Sequence, residues 1–390
     1  LNFEWLQMLA EMVAGIFLLA GGLPVLYLTV LGFAGLVPGR KSVASPGEDP
    51  LRIAILIPAH NETLLISETV ADAFEQAYPK ELFTVLVIAD NCSDDTADLA
   101  RAQGAEVLVR QGDPGKGQAL NEAFGLLLKQ DWDAVLIVDA DTRLHPHLLS
   151  NISVEMRRGT RAIQAFYGVL NPNETRRTAA MELALSSFNG LRPRGKTVLG
   201  LSSGLFGNGF CLHREVLEKV PYLARSIVED LEYHLRLLDA GVKVKFLDRV
   251  WVKAQMPATA ADSSSQRVRW ERGRMTLALQ LAPGLIKRIF KGKFHAIDAL
   301  TDVCMPPASI LALFFLGSLA LGNTAIRIGA FSGIFLMALH YLMAGFRFGS
   351  PVRTLQICFF LPWYLVWKTI ILGKSFLTSK HLPWVRTKRH

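Results

Sequence analysis

The sequence predicts an α/β domain on a Rossmann-like sheet, joined to transmembrane and interfacial helices toward both ends of the chain. Three observations carry that expectation. Four short apolar runs, residues 53–57, 84–89, 106–109 and 134–138, alternate with helical stretches and are too continuous to be half exposed, which calls for parallel strands covered on both faces. Acids follow those runs, Asp90 after the second and Asp139 and Asp141 after the fourth. Long apolar stretches flank the domain, and 51% of the 390 residues are hydrophobic with a mean hydropathy of +0.28, high for a soluble enzyme.

Between residues 5 and 37 only Glu11 is charged, and about 30 helical residues exceed the roughly 20 that cross a bilayer. Residues 1–37 therefore read as one tilted or kinked span, flexible at Gly21-Gly22 and Pro24, and not as a cleaved leader, because the stretch before the apolar core is acidic and the core is long. Arg40 and Lys41 follow, so the positive-inside rule places the next domain in the cytosol, on an inner or plasma membrane. Residues 38–50 form a turn-rich linker and 51–274 the α/β domain. Residues 275–298 suit an interfacial amphipathic helix, with Leu277, Leu281, Leu285 and Ile289 apolar and Lys287, Arg288 and Lys291 basic. Two apolar runs, 303–321 and 324–346, separated by Gly322-Asn323, make residues 299–346 a transmembrane hairpin. In 347–390 a third run, 355–372, carries Pro362, Trp363, Tyr364 and Trp367 and precedes a basic tail, which fits an interfacial or re-entrant helix and a cytosolic end. Three crossings result.

The net charge of +8 does not point to nucleic acid, because the Lys and Arg residues flank apolar segments without forming a basic arm; anionic membrane lipids are the expected partner. The four cysteines, Cys92, Cys211, Cys304 and Cys358, form no CxxC pair and are expected as free thiols in a reducing compartment.

In an open parallel sheet the ligand sits beyond the carboxyl ends of the strands. His60-Asn61-Glu62, Asp90 and Asp139-Ala140-Asp141 all fall at that edge, which implies a nucleotide-like ligand. Pro58 is expected to stop the first strand and Asn61 to cap the next helix, and a plain strand-to-helix turn accounts for that segment equally well. Asp94 and Thr96 read as helix-start residues. In Gly115-Lys116-Gly117 the glycines let backbone N–H groups approach an anion and Lys116 can reach a diphosphate; a solvated lysine in a turn is the plainer reading.

Asp139 and Asp141 stand two apart on a segment read as extended, so both carboxylates project to one side and need a cation or a shared proton to relieve their repulsion. A hard divalent ion fits, whereas capping the following helix explains one aspartate and not both. Gly207-Asn208-Gly209 interrupts the strand-like run 205–212, as a bulge or a close ligand approach would. Glu229-Asp230 opens a helix whose dipole favours acids, so stability alone could place them there. Gln266, Arg269 and Trp270 share one helical face, where a guanidinium suits a diphosphate and an indole suits a sugar ring; a membrane anchor is the alternative.

This ordered set resembles the membrane-integrated branch of glycosyltransferase family 2, which includes cellulose and hyaluronan synthases and ceramide glucosyltransferases, over residues 51–275. The resemblance implies a GT-A fold and an inverting transfer of a hexose from a UDP-sugar to a lipid-linked or saccharide acceptor, with Mg2+ or Mn2+ as cofactor. Pro58, His60, Glu62, Asp90, Lys116, Asp139 and Asp141 would then bind the donor, Asp90 at the uracil and Glu62 near the ribose. Asp141 would be the main metal ligand, with Asp139 on the ribose or the same ion. Gly207, Asn208, Glu229, Gln266 and Trp270 would line the acceptor side; Asp230 would be the base, and Arg269 would neutralise the leaving diphosphate. Two departures stand out: Ala89 where the family more often has an acid, and Val228 where many members have Thr. A processive polysaccharide synthase with an oligomeric or partner-assisted export path, and a nucleotidyltransferase on the same sheet, are the competing expectations; a transporter or membrane scaffold would leave the acidic edge idle.

Overall fold

The computed structural model describes residues 3–38, 49–224, 228–257, 260–292 and 295–377, with the side chains of 260–274, 295 and 361–377 described only in part. Most of the expected linker 38–50 and the basic tail lie outside the described residues. The chain forms two compact units: one contains the described residues within Leu1–Val37, Asn173–Gly195 and Ala258–Thr387, the other those within Pro38–Pro172 and Lys196–Pro257.

The second unit is built on β1 (Ile53–Ala59), β2 (Phe83–Asp90), β3 (Glu106–Arg110), β4 (Ala134–Ile137), β5 (Thr142–Leu144), β6 (Ala162–Val169), β7 (Phe210–His213) and β8 (Val244–Ala254). Their order in one sheet is β3-β2-β1-β4-β7-β6-β8-β5. The four runs expected as strands are β1 to β4, and they pair in parallel. Ile53, Ile55 and Ile57 of β1 are buried on one face with Val85 and Val87 of β2, and Ala54 and Leu56 on the other beneath Leu120 and Phe124. Burying a Leu or Ile side chain fully is worth about 1.5–3 kcal/mol, so strands with two buried faces read as unbroken apolar runs.

Beyond β4 the expectation of a parallel sheet is corrected. β7 runs antiparallel to β4 and β6, and β5 antiparallel to β8, giving a mixed sheet. A continuous apolar run carries no direction, and periodicity cannot reveal this. Of the run 205–212, only its last three residues belong to a strand. Pro58 does not end β1: the strand passes through it opposite Ile88 to Ala59. Nor does Asn61 cap the next helix, which starts at Ile66 after Leu65.

The first unit holds a 34-residue helix, Phe3–Leu36, which continues unbroken through Gly21-Gly22 and Pro24. By length and composition, this helix over Glu4–Leu36 and the helix Thr324–Phe348 can cross a membrane. A third span counts only if Ala296–Cys304 and Ala308–Leu321, bent by 85°, act as one. The expected straight run 303–321 is thus broken at Met305-Pro306-Pro307, since Pro306 and Pro307 lack the N–H groups a helix needs. The helix Ala308–Leu321 has 14 residues, about 21 Å at 1.5 Å per residue, short of a bilayer core. The helix Pro351–Leu377 runs through Pro362 without a re-entrant break.

The helix Ala260–Phe290 spans the expected boundary at 274 and unites the Gln266-x-x-Arg269-Trp270 motif with the basic amphipathic segment. Asn173–Gly195, expected within the α/β domain, packs with the apolar helices, because Glu182 takes Arg353 bidentately at 2.7 and 2.8 Å. Buried polar pairs also tie this unit together: Arg192–Asp302 at 3.2 Å, Ser187–His340 at 2.9 Å, and the Tyr27 hydroxyl donating to Asp298 at 2.8 Å.

Candidate active site

Pairing β1 with β2 and β4 brings the carboxyl ends of all three strands to one sheet edge, where three predicted loops meet. Asn61 and Asn91, the only positive-φ residues other than glycine among the described residues, lie in two of them at φ 55° and 51°. The Asn61 side chain crosses between the loops, accepting from the Ser93 N–H at 2.8 Å, and His60 Nδ1 lies 2.7 Å from the Asp90 carbonyl oxygen. Glu62 donates its N–H to Thr96 at 2.7 Å. Asp94 accepts from the Thr96 N–H at 3.1 Å, as a helix-start residue should.

Asp90 ends β2 in register with Arg110 of β3. Its carboxylate accepts from Arg110 Nη1 at 2.6 Å, both side chains being nearly buried, and Arg110 Nε also reaches Glu122 at 2.9 Å. Hydrogen bonding to Asp90 raises the guanidinium pKa above its ordinary value. Arg110 was not singled out in the sequence, although its place at the end of the strand beside Asp90 marks it. A cavity of about 310 Å³ adjoins this pair, lined in part by Gln118, Asn121, Tyr222 and Ala224 and not by Asp139, Asp141 or Asp230.

After β4 the chain does not stay extended but turns at Ala140-Asp141 before β5. Strand alternation therefore does not set the two aspartates. Asp139 pairs with Lys116, whose ammonium also donates to the Gly207 carbonyl at 2.6 Å. Asp141 is nearly buried, with the Thr142 hydroxyl 3.4 Å from its carboxylate. Asn208, expected on the acceptor side, is fully buried. Its amide oxygen accepts from the Asp139 N–H at 3.1 Å and its nitrogen donates to Thr142 at 2.9 Å. Asn208 thus braces the aspartate turn. Buried Gln164, missed in the sequence, supports the same loop by donating to the Asn208 carbonyl at 2.7 Å and accepting from the Phe206 N–H at 3.0 Å.

Gly207 adopts φ +74°, and a Cβ placed on it would lie 3.4 Å from Asp230 Oδ2 and 3.8 Å from Lys116 Nζ. Lys116 thus stands between the aspartate turn and the acid pair that opens the helix Glu229–Asp239. Asp230 accepts from the Leu231 N–H at 2.8 Å. Burial would lower the Lys116 pKa, but the carboxylates of Asp139, Glu229 and Asp230 outweigh it and hold it above the usual lysine value. Burial, then the Asp230 charge, pushes Glu229 up to about 7, and burial likewise raises Asp230. Burial thus makes both carboxyls stronger proton acceptors than exposed acids.

The glycines flanking Lys116 differ in purpose. Gly115 takes φ +148° immediately before the helix Lys116–Leu127. Gly117 is a packing glycine, because a Cβ there would lie 2.2 Å from the Ala224 carbonyl oxygen and 3.6 Å from Glu229 Cβ. Gly117→Ala should cost about 1–3 kcal/mol through overpacking and lower turnover by displacing Glu229, read by thermal unfolding and by donor turnover; an unchanged Tm would contradict this contact. Gln266, Arg269 and Trp270 occupy the helix Ala260–Phe290, and their side chains lie outside the described residues.

The sequence profile of a family described as Glycosyltransferase like family 2 matches residues 50–273. A probable glycosyltransferase of Bacillus subtilis (strain 168), YdaM, is 24% identical over 378 residues, 87% of each chain. A β-monoglucosyldiacylglycerol synthase of Trichormus variabilis is 26% identical over 258 residues, 64% of this chain and 54% of that one; the alignment thus spans about half the length of that relative. Among solved structures, the mannosyltransferase PcManGT from Pyrobaculum calidifontis, in complex with GDP-Man and Mn2+, aligns with a TM-score of 0.56 at 18% identity over 89% of this chain and 98% of that one. The fold is therefore GT-A, here carried with long apolar helices.

Proposed function

Because the chain belongs to glycosyltransferase family 2, we propose that it transfers a hexose from a UDP-sugar to a lipid or lipid-linked acceptor at the cytosolic membrane face, with inversion to a β-glycoside. The observation that carries this reading is the convergence of Asp139, Gly207 and Asp230 around Lys116 at the carboxyl edge of the sheet. That arrangement brings a donor-side acid and an acceptor-side acid to a single cation. Asp230 takes the acceptor hydroxyl proton as the oxygen attacks the anomeric carbon, its proton affinity raised by burial, with Glu229 as its supporting partner. Asp90, held by Arg110, faces the base, with Pro58, His60 and Glu62 along the nucleotide loops. The resemblance assigns Arg269 to the departing diphosphate and Gln266 and Trp270 to the acceptor sugar or headgroup.

Asp139 and Asp141 offer hard oxygen donors on one turn, which suits Mg2+ or Mn2+. Among the described residues no cluster of three His, Cys, Asp or Glu side chains is available, so diphosphate and water would complete the shell. The cation supplies neutralisation of the leaving group's charge.

A lipid acceptor is favoured over a growing polymer because the two to three candidate spans among the described residues give too few walls for a closed channel in one copy. The β-monoglucosyldiacylglycerol synthase relatives support a glycerolipid acceptor. A polysaccharide product would require an oligomer or an export partner. Purified membranes incubated with a panel of UDP-sugars and GDP-mannose, followed by mass analysis of lipid and polymer fractions, should yield a monohexosyl lipid and free UDP. Release of pyrophosphate would mean nucleotidyl transfer, and product confined to the polymer fraction would reverse the acceptor reading.

A further inference from the structure

We infer that Lys116 is a built-in counter-cation of Asp139: it holds that carboxylate until a nucleotide diphosphate draws it away, so that the divalent cation loads with the nucleotide and not before it. The inference deepens the proposed donor chemistry and rests on that reading for its nucleotide arm.

Lys116 Nζ contacts Asp139 Oδ1 and donates to the Gly207 carbonyl at 2.6 Å, beside Asp230. Asp139 is itself fixed, since its N–H is bound by buried Asn208 at 3.1 Å. A divalent ion bound to Asp139 would stand about 2.0–2.6 Å from carboxylate oxygen, close to the ammonium that the same carboxylate holds, and the two cations repel. The ion therefore binds better once the ammonium has left. The start of the lysine's helix cannot move far, because Gly117 is wedged against the Ala224 carbonyl, where even a Cβ would lie at 2.2 Å. The flexible four-carbon stem can swing. Away from Asp139 the ammonium keeps the Gly207 carbonyl and Asp230 nearby, and a diphosphate adds an anion on the donor side while it supplies oxygen ligands to the ion. Binding of ion and nucleotide is then positively coupled through one side chain, and coupling of this kind is reciprocal. Among the described residues, Arg110 is committed to Asp90 and Glu122 and does not substitute.

The test is calorimetric titration of Mn2+ into the detergent-purified full chain, with and without saturating UDP, for wild type, Lys116→Met and Lys116→Arg. Lys116→Met should bind Mn2+ alone at least about fivefold more tightly than wild type, within the usual range of coupling between sites. Added UDP should tighten Mn2+ less in that variant than in wild type. Mn2+ alone should raise the Tm of Lys116→Met and leave that of wild type nearly unmoved, while Lys116→Arg follows wild type. Equal Mn2+ affinity of Lys116→Met and wild type without nucleotide would overturn the inference. If Lys116→Met does not fold, Lys116→Gln takes its place: Mn2+ affinity without UDP equal to wild type overturns the inference, and tighter affinity upholds it. Failure of UDP to bind any variant would count against the donor reading, and the Mn2+-only comparison would still judge Lys116.

Discussion

Asp230→Asn is expected to lower turnover by about two orders of magnitude or more, with donor affinity and Tm nearly unchanged. The substitution preserves size and keeps an oxygen that can accept from the Leu231 N–H, now at 2.8 Å, so a role limited to opening the helix predicts only a mild loss. An amide cannot take the acceptor's proton. The pH dependence adds a second reading. Burial raises the Asp230 carboxyl, and burial with the Asp230 charge raises Glu229 to about 7, so wild-type kcat/KM should fall on the acid side as the pair takes up a proton above the ordinary carboxylate range. In Asp230→Asn that limb should shift down, because Glu229 loses its charged neighbour. The stability sign is opposite: a raised carboxyl favours folding while protonated, and this contribution is lost as pH rises through the pair's titration. Near-normal turnover in Asp230→Asn, or an acid limb unmoved from wild type, would remove Asp230 from the base role.

Much of the frame of this site was legible in the sequence. The four apolar runs became β1 to β4 within two residues at each end, because strands buried on both faces need continuous apolar residues. The edge position of His60, Asp90 and Asp139 followed from that alone. Less legible was what each side chain would touch. The resemblance put Asn208 on the acceptor side, and nothing in the local sequence told that its side chain would be fully buried as a brace for the Asp139 turn. Gln164 sits in an apolar strand and has no sequence signature; only the crossing of β6 past Gly209 gives it partners. Arg110 required the β2–β3 register, and Asn173–Gly195 required the Arg353–Glu182 pair, a contact 171 residues apart in the chain. Such pairings are properties of topology, which local pattern does not encode.

Asp141→Asn should reduce turnover by more than about 100-fold, beyond the 10- to 100-fold loss common for residues that merely support a metal ligand. Asp141 is the main proposed ligand of the ion, and Asp139 joins it once Lys116 has swung away. Asp139 is held by Lys116, whereas Asp141 is nearly buried on the turn before β5, with the Thr142 hydroxyl 3.4 Å from its carboxylate. A cation with few protein ligands depends heavily on the charge of each, and the amide keeps one oxygen but no charge. Folding should persist, because Asn fits the same turn and can still accept from Thr142, so Tm should move little. Affinity for UDP measured with excess chelator should be the same in variant and wild type, while affinity measured with Mn2+ should be weaker in the variant. Excess chelator should likewise abolish wild-type turnover. Full activity in chelator would dispose of the metal requirement, and an Asp141→Asn enzyme with normal Mn2+-dependent UDP affinity would move the ion away from this turn. The companion Asp139→Asn separates the two aspartates: it should release Lys116 as well as a ligand, and therefore lose Tm where Asp141→Asn does not.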